Sequence, residues 1–193
     1  MASDLNDLNG VRASLNLRPG KTVGASDLAL QLSNAKEEHN YIRFDNYGSE
    51  LTGENVLAAH VEKANLFSLG EKLAIDLRRS DEHLWSAGIN GVVPLGLAGT
   101  ELVFSYVHSE NDIGDRLFAL EASGQSDIFR VGLGKKLLNT YSDNIRVEVG
   151  LESRRHESFL LNETDTKDHI RQFYINGSYI KRKQNSVYYA ALT

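Results

Sequence analysis

The chain has no cysteine and only two prolines among its 193 residues. Without cysteine there is no disulfide, no thiolate zinc centre and no cysteine nucleophile, and the redox compartment is left open. No uninterrupted apolar run approaches the roughly 18–20 residues of a membrane-spanning helix. The start, Met1-Ala2-Ser3-Asp4, lacks a basic and then apolar leader. A helical membrane protein is therefore excluded. An excess of positive charge is missing too, because 21 Lys and Arg face 26 Asp and Glu for a net charge of −5. Lys181-Arg182-Lys183 is a short turn cluster rather than a basic stripe, so nucleic-acid binding is disfavoured. His39, His60, His83, His108, His156 and His169 are scattered with no metal-ligand spacing. Glycine-rich phosphate loops and nucleophile elbows are absent as well, so the sequence points to no cofactor, no metal and no enzyme. What is present is 16 glycines beside eight tyrosines and seven phenylalanines, the profile of a glycine- and aromatic-bearing β protein, long enough for one sizeable domain or a piece of a larger one.

Periodicity organises the rest. Ile145, Val147, Val149 and Leu151 alternate with Arg146, Glu148 and Glu152, so a period of two gives one apolar and one charged face. The same rule runs through Leu57, Ala59 and Val61, through Leu73, Ile75 and Leu77, and through Phe129, Val131 and Leu133. Strands are expected near 38–47, 53–64, 71–80, 83–93, 100–109, 126–137, 143–155, 167–182 and 185–193. Short connections at Leu66–Gly70, Pro94–Gly99, Asn139–Asp143 and Arg182–Gln184 alternate with longer or more polar ones at Gly48–Thr52, Ser80–Glu82, Glu110–Gln125 and His156–Thr166. That is an antiparallel up-and-down meander. The strands approach the roughly 9–11 residues of a transmembrane β-strand, and Trp85, Phe104, Tyr106, Phe129, Phe173, Tyr188 and Tyr189 lie toward strand ends or among the apolar positions. A membrane barrel and a soluble β-sandwich of interaction or adhesin type both fit this pattern. The first residues differ: Asp4–Gly10 reads as a helix end with a glycine cap, followed by strands at Val11–Leu17 and Asp27–Leu32 around a turn at Arg18-Pro19-Gly20.

Several motifs in order carry a resemblance. They are Leu5-Asn6-Asp7-Leu8-Asn9-Gly10-Val11, Leu17-Arg18-Pro19-Gly20, Gly24-Ala25-Ser26-Asp27-Leu28, and Phe44-Asp45-Asn46-Tyr47-Gly48-Ser49 with Thr52-Gly53. Asn65-Leu66 with Leu69-Gly70-Glu71, then Val93-Pro94-Leu95-Gly96 with Gly99, and the run from Ser105-Tyr106 through Leu117 to Gly124 follow. Together they resemble two-partner secretion transporters of the haemolysin secretion/activation (ShlB/FhaC/HecB) family within the Omp85 superfamily. The resemblance implies an all-β fold: an antiparallel up-and-down meander forming part of a transmembrane β-barrel, preceded by the C-terminal part of a POTRA domain. Residues 1–36 correspond to the end of the second POTRA domain, in the periplasm, and residues 37–193 to the first nine barrel strands, in the Gram-negative outer membrane. An odd number of strands cannot close such a barrel. The sequence therefore reads as a piece of a longer protein, without the signal peptide, first POTRA domain, later strands and inward-folding loop of the family.

The implied function is translocation of an unfolded haemolysin- or adhesin-like exoprotein to the cell surface, with that passenger and outer-membrane lipid as partners. An Omp85-type barrel-assembly insertase is the related alternative. Arg43, Asp45, His60, Glu62, Asp76, Arg78, Arg130, Arg146, Glu148 and Glu152 are candidates for lining the pore, where mixed signs keep a passenger from sticking. They fit equally well as cross-strand pairs that stiffen the interior. In the family the passenger first docks on a POTRA strand edge through main-chain hydrogen bonds, which points here to Val11, Ala13, Leu15, Leu28 and Leu30. The bland reading is that these strands complete their own sheet.

Overall fold

A computed structural model describes residues 9–22, 24–34, 38–96, 99–112, 122–140, 142–161, 163–184 and 186–193. Every regular element among them is a β-strand. β1 (Val11–Pro19) and β2 (Ser26–Asn34) pair as a two-stranded antiparallel sheet. β3 (Glu38–Asp45), β4 (Val56–Ala64), β5 (Lys72–Ser80), β6 (Leu84–Pro94), β7 (Thr100–Asp112), β8 (Ser123–Asn139), β9 (Asp143–Leu160), β10 (Glu163–Lys183) and β11 (Ser186–Leu192) follow. These nine pair in chain order in one sheet. Each expected strand has its counterpart, and the meander is as the periodicity dictates.

Boundaries shift where polarity misleads. The connection expected at 156–166 is mostly strand: β9 runs to Leu160, β10 starts at Glu163, and the pairing carries a bulge between Thr164 and Thr166. Glu110–Asp112 and Ser123–Gln125 likewise extend β7 and β8 into the expected 110–125 loop, whose Leu117, Phe118 and Leu120 lie outside the described residues. Backbone pairing does not require apolar side chains, so strands can continue with polar residues on both faces. The turn expected at Arg18-Pro19-Gly20 sits later: β1 includes Pro19, and Gly20 N–H donates to the Ala25 carbonyl at 2.9 Å. Residues 4–8 of the expected helix end lie outside the described residues. Asn9 and Gly10 form a turn, with Gly10 at φ 74°, as a glycine cap requires.

Register propagates the alternation across the whole large sheet. Directly paired residues share a face, so the apolar residues Leu57, Leu77, Ile89, Tyr106, Leu133, Val149, Leu151, Phe173 and Ile175 stand on one side. All of them are exposed. An exposed apolar face of this extent needs an apolar medium. The opposite face is concave. Its side chains span two strands at a time: Arg146 of β9 reaches Glu101 of β7, and Tyr174 of β10 overlies Gly132 of β8. The upper limit of the apolar face is Phe44 on β3, Trp85 on β6, Tyr106 on β7, Phe129 on β8 and Phe173 on β10; it holds one register row from Phe44 to Trp85, then falls by four residues to Tyr106 and Phe129 and by two more to Phe173. Such a drift is what strands tilted to a membrane plane produce. β8, β9 and β10, with 17, 18 and 21 residues, outrun the roughly 9–11 needed to cross the apolar layer.

Candidate functional site

The ten charged residues singled out in the sequence all stand on the concave face. Arg43 and Asp45 are in register with Ala58 and Val56, and His60 pairs with Asp76. Arg78 pairs with Ser86, and the set continues through Arg130 opposite Glu152. Most of them are tied to each other. Arg43 Nε lies 2.8 Å from Asp45, and Lys72 reaches Glu62 at 2.9 Å. His60 Nδ1 lies 2.7 Å from Asp76, whose other oxygen accepts from Asn90 at 3.0 Å, and Tyr41 stacks on the imidazole with centroids 5.0 Å apart. Glu152 is buried and held by Arg130, by Arg154 at 2.9 Å and by the Gln172 amide at 3.1 Å. Arg146 bridges Glu101 at 2.6 Å and Glu148 at 2.8 Å.

The structure adds residues that the sequence gave no reason to select. Tyr174 donates its hydroxyl to Glu148 at 3.0 Å while lying over glycines. A Cβ on Gly132 or Gly150 would meet that hydroxyl at 2.5 or 2.6 Å, so both positions must lack side chains for the ring to lie down. Glu101, Lys72, Asn90 and Arg154 join for the same reason: each alternates inward, but its partner is remote in sequence. The signal that could have found them is the inward parity of their strand positions.

At one end of the sheet lies the Asn65–Glu71 turn. Asn65 and Ser68 adopt φ 55° and 61°, and Gly70 adopts φ 74°. Glu71 is 1 % exposed, yet its carboxylate accepts the Phe67 and Leu69 backbone N–H groups at 2.6 and 3.0 Å. Burial pushes the pKa of the carboxyl up, but backbone N–H donors from Phe67, Glu71 itself, Leu69 and Leu66 outweigh it and hold it below its ordinary value. The Gly70 carbonyl in turn accepts from the Asn9 backbone N–H at 3.2 Å and the Asn9 side-chain amide at 3.1 Å. This turn therefore joins the β1–β2 hairpin to the sheet. At the other end the Asp45-Asn46-Tyr47-Gly48 turn is closed by the Tyr47 N–H on the Asp45 carboxylate at 3.2 Å.

On the hairpin, the residues proposed for partner contact all occupy one face: Leu15 pairs with Leu30, Leu17 with Leu28 and Ala13 with Leu32, and Val11 follows the same parity. Ala13 is buried, whereas Leu15, Leu28 and Leu30 are exposed. Among the described residues no group of three or more His, Asp or Glu side chains could hold a metal ion.

A nine-stranded antiparallel meander with one charged and one apolar face has matches among known proteins. Residues 24–188 match the family described as haemolysin secretion/activation protein ShlB/FhaC/HecB. The chain belongs to this family. The heme/hemopexin transporter protein HuxB of Haemophilus influenzae is 31 % identical over 126 residues, covering 65 % of this chain and 22 % of HuxB. HuxB of strain 86-028NP is 38 % identical over 81 residues, covering 42 % of this chain and 14 % of that protein. The chain thus spans about a fifth of the length of the curated relatives it matches. In fold it is similar to CdiB from Escherichia coli, with TM-score 0.76 at 18 % identity over 95 % of this chain and 36 % of CdiB. BamA from Haemophilus ducreyi matches with TM-score 0.57 at 10 % identity over 96 % of this chain and 38 % of the BamA chain. In fold the large sheet is accordingly similar to part of the Omp85-type β-barrels of CdiB and BamA. ShlB/FhaC/HecB relatives are outer-membrane transporters of Gram-negative bacteria rather than enzymes, and two-partner secretion implies a secreted exoprotein as partner.

Proposed function

We propose that β3–β11 form part of the wall of an outer-membrane pore through which an unfolded haemolysin- or adhesin-like exoprotein reaches the cell surface. The observation that carries this reading is the concave face, where charges of both signs are neutralised against each other. A passenger segment of either sign then meets a wall that offers weak, distributed contacts and no trap. Arg43, Asp45, His60, Glu62, Asp76, Arg78, Arg130, Arg146, Glu148 and Glu152 serve two roles at once in this reading, lining the path and stiffening it through pairs such as Arg130 with Glu152. Residues 1–36 are the end of a POTRA domain in the periplasm. The bonds from Asn9 to Gly70 favour this, because they set the hairpin beside the Asn65–Glu71 turn and so make that end of the barrel periplasmic. An incoming extended segment docks on the edge of β1 or β2, which among the described residues form a two-stranded sheet. The CdiB match, closer in shape than the BamA match, favours a secretion pore over a barrel-assembly insertase.

Deleting the gene in the source bacterium tests this. One large protein should vanish from the culture medium and return when the gene is supplied again. An unchanged medium together with loss of other barrels from the outer membrane would support the insertase instead.

A further inference from the structure

Above the apolar face, toward the end of the sheet away from the hairpin, the outward side of β9 and β10 changes abruptly. Register places Leu151 beside Phe173, then Ser153 beside Arg171, then Arg155 beside His169, then Glu157 beside Lys167. Phe173 is 86 % exposed and Ile175 follows it on the same face. Arg155, His169 and Arg171 are exposed as well. His169 Nε2 lies 3.0 Å from the Ser153 hydroxyl and 3.3 Å from Arg171 Nε, so the side chains are already gathered.

The neighbouring acids have other partners, although Asp127 also lies within electrostatic reach of Arg155. Asp127, in register with Arg155 on β8, accepts from Tyr106 at 2.7 Å and lies 2.8 Å from His108 Nδ1. Glu157 is paired with Lys167 at 2.7 Å. Glu110 is engaged by the Trp85 indole at 2.7 Å and by His108 at 3.1 Å. Two guanidinium groups and an imidazole thus gather above an exposed phenylalanine, Arg171 one side-chain row above Phe173 and Arg155 and His169 two rows above it. Guanidinium groups suit phosphate through paired N–H donors, and a cation just outside an apolar layer meets lipid headgroups.

We propose that Arg155, Arg171 and His169 form a binding site for a phosphorylated lipid of the outer leaflet. Its phosphate sits on the guanidinium pair and its acyl chains lie along Leu151, Phe173 and Ile175. The site rests on the barrel reading and its orientation above. It fixes the depth of β9 and β10 in the membrane at the rim where the strands leave the apolar layer.

The test uses the protein extracted in detergent from its outer membrane, with native mass spectrometry titrations of bis-phosphorylated and dephosphorylated lipid A. The double substitution Arg155→Gln with Arg171→Gln should weaken binding of the phosphorylated form by roughly thirtyfold. Lys63→Gln, an outward cation on β4 at the opposite end, should leave it unchanged. Equal binding by the double variant, equal binding of the dephosphorylated lipid, or displacement by millimolar inorganic phosphate as efficient as by lipid would each overturn the site. Heat-modifiable gel mobility of the same samples separates the two levels. A folded barrel without phosphate-selective binding removes only this proposal, whereas absence of a folded barrel removes the reading beneath it.

Discussion

The β1–β2 hairpin and the nine-stranded sheet obey one rule of alternation and use it in opposite ways. In the hairpin the apolar face carries Leu15, Leu17, Leu28, Leu30 and Leu32, and the polar face carries a long hydrogen bond from Ser33 Oγ to the Arg12 carbonyl at 3.4 Å. In the large sheet the polar face is cross-linked between strands by Lys72 with Glu62, Arg130 with Glu152 and Arg146 with Glu101, while the apolar face is left bare. Lipid suffices for a bare apolar face that continues over many strands, whereas two strands in water hold no core of their own. The hairpin's leucines thus call for protein, and the sheet's for bilayer.

The sharpest way to break that contrast is a charge on each apolar face. Val149→Arg should destabilise the barrel by about 2–4 kcal/mol near the bilayer midplane, read by urea unfolding in vesicles with gel mobility as the probe. Were it tolerated, the apolar face would not be lipid-facing. Gly150→Val attacks the concave face instead, because the new Cβ meets the Val131 carbonyl at 2.5 Å and the Tyr174 hydroxyl at 2.6 Å. A loss of about 1–3 kcal/mol is expected in the same assay, and Tyr174→Ala should recover only the side-chain part of it.

At the junction of the two regions, Glu71→Gln replaces a carboxylate oxygen with an amide donor facing a backbone N–H, costing about 1.5 kcal/mol. The pH dependence has a defined sign. The folded carboxyl lies below its ordinary value of 4.5, so its contribution is complete above about pH 4.5 and is lost as pH falls through the lower folded value. Hydrogen exchange at the Phe67 and Leu69 amides should accelerate in that acid range in the native protein and show no such step in Glu71→Gln. Smallest of all, Leu30→Arg on the hairpin should move barrel unfolding by no more than about 0.5 kcal/mol. A larger effect would mean that the hairpin's apolar face packs on the barrel.

Much of this architecture is legible in residue order. The run Ile145–Glu152 specifies a strand with one charged face, and similar runs specify the others, so the meander and the inward charges follow from counting by two. The lengths of β9 and β10 did not follow, because His156–Ser158 and Glu163–Thr166 are polar on both faces and resemble a loop. Their hydrogen-bond partners are each other, which composition does not record. Glu71 was visible only as part of a motif; that it is buried under backbone N–H groups depends on the left-handed residues Asn65, Ser68 and Gly70 bending the chain around it.

The sequence by itself determined which side chains share a face, since a period of two leaves an extended strand no choice. It also leaves these 193 residues no thiol chemistry, since they include no cysteine. Only the tertiary structure decided which charges meet, as with Arg146 and Glu101 on strands that are not neighbours, and where the apolar boundary falls on each strand. Both depend on the stagger between strands and on the curvature of the sheet, which arise from pairings over long sequence separations and are written in no local segment.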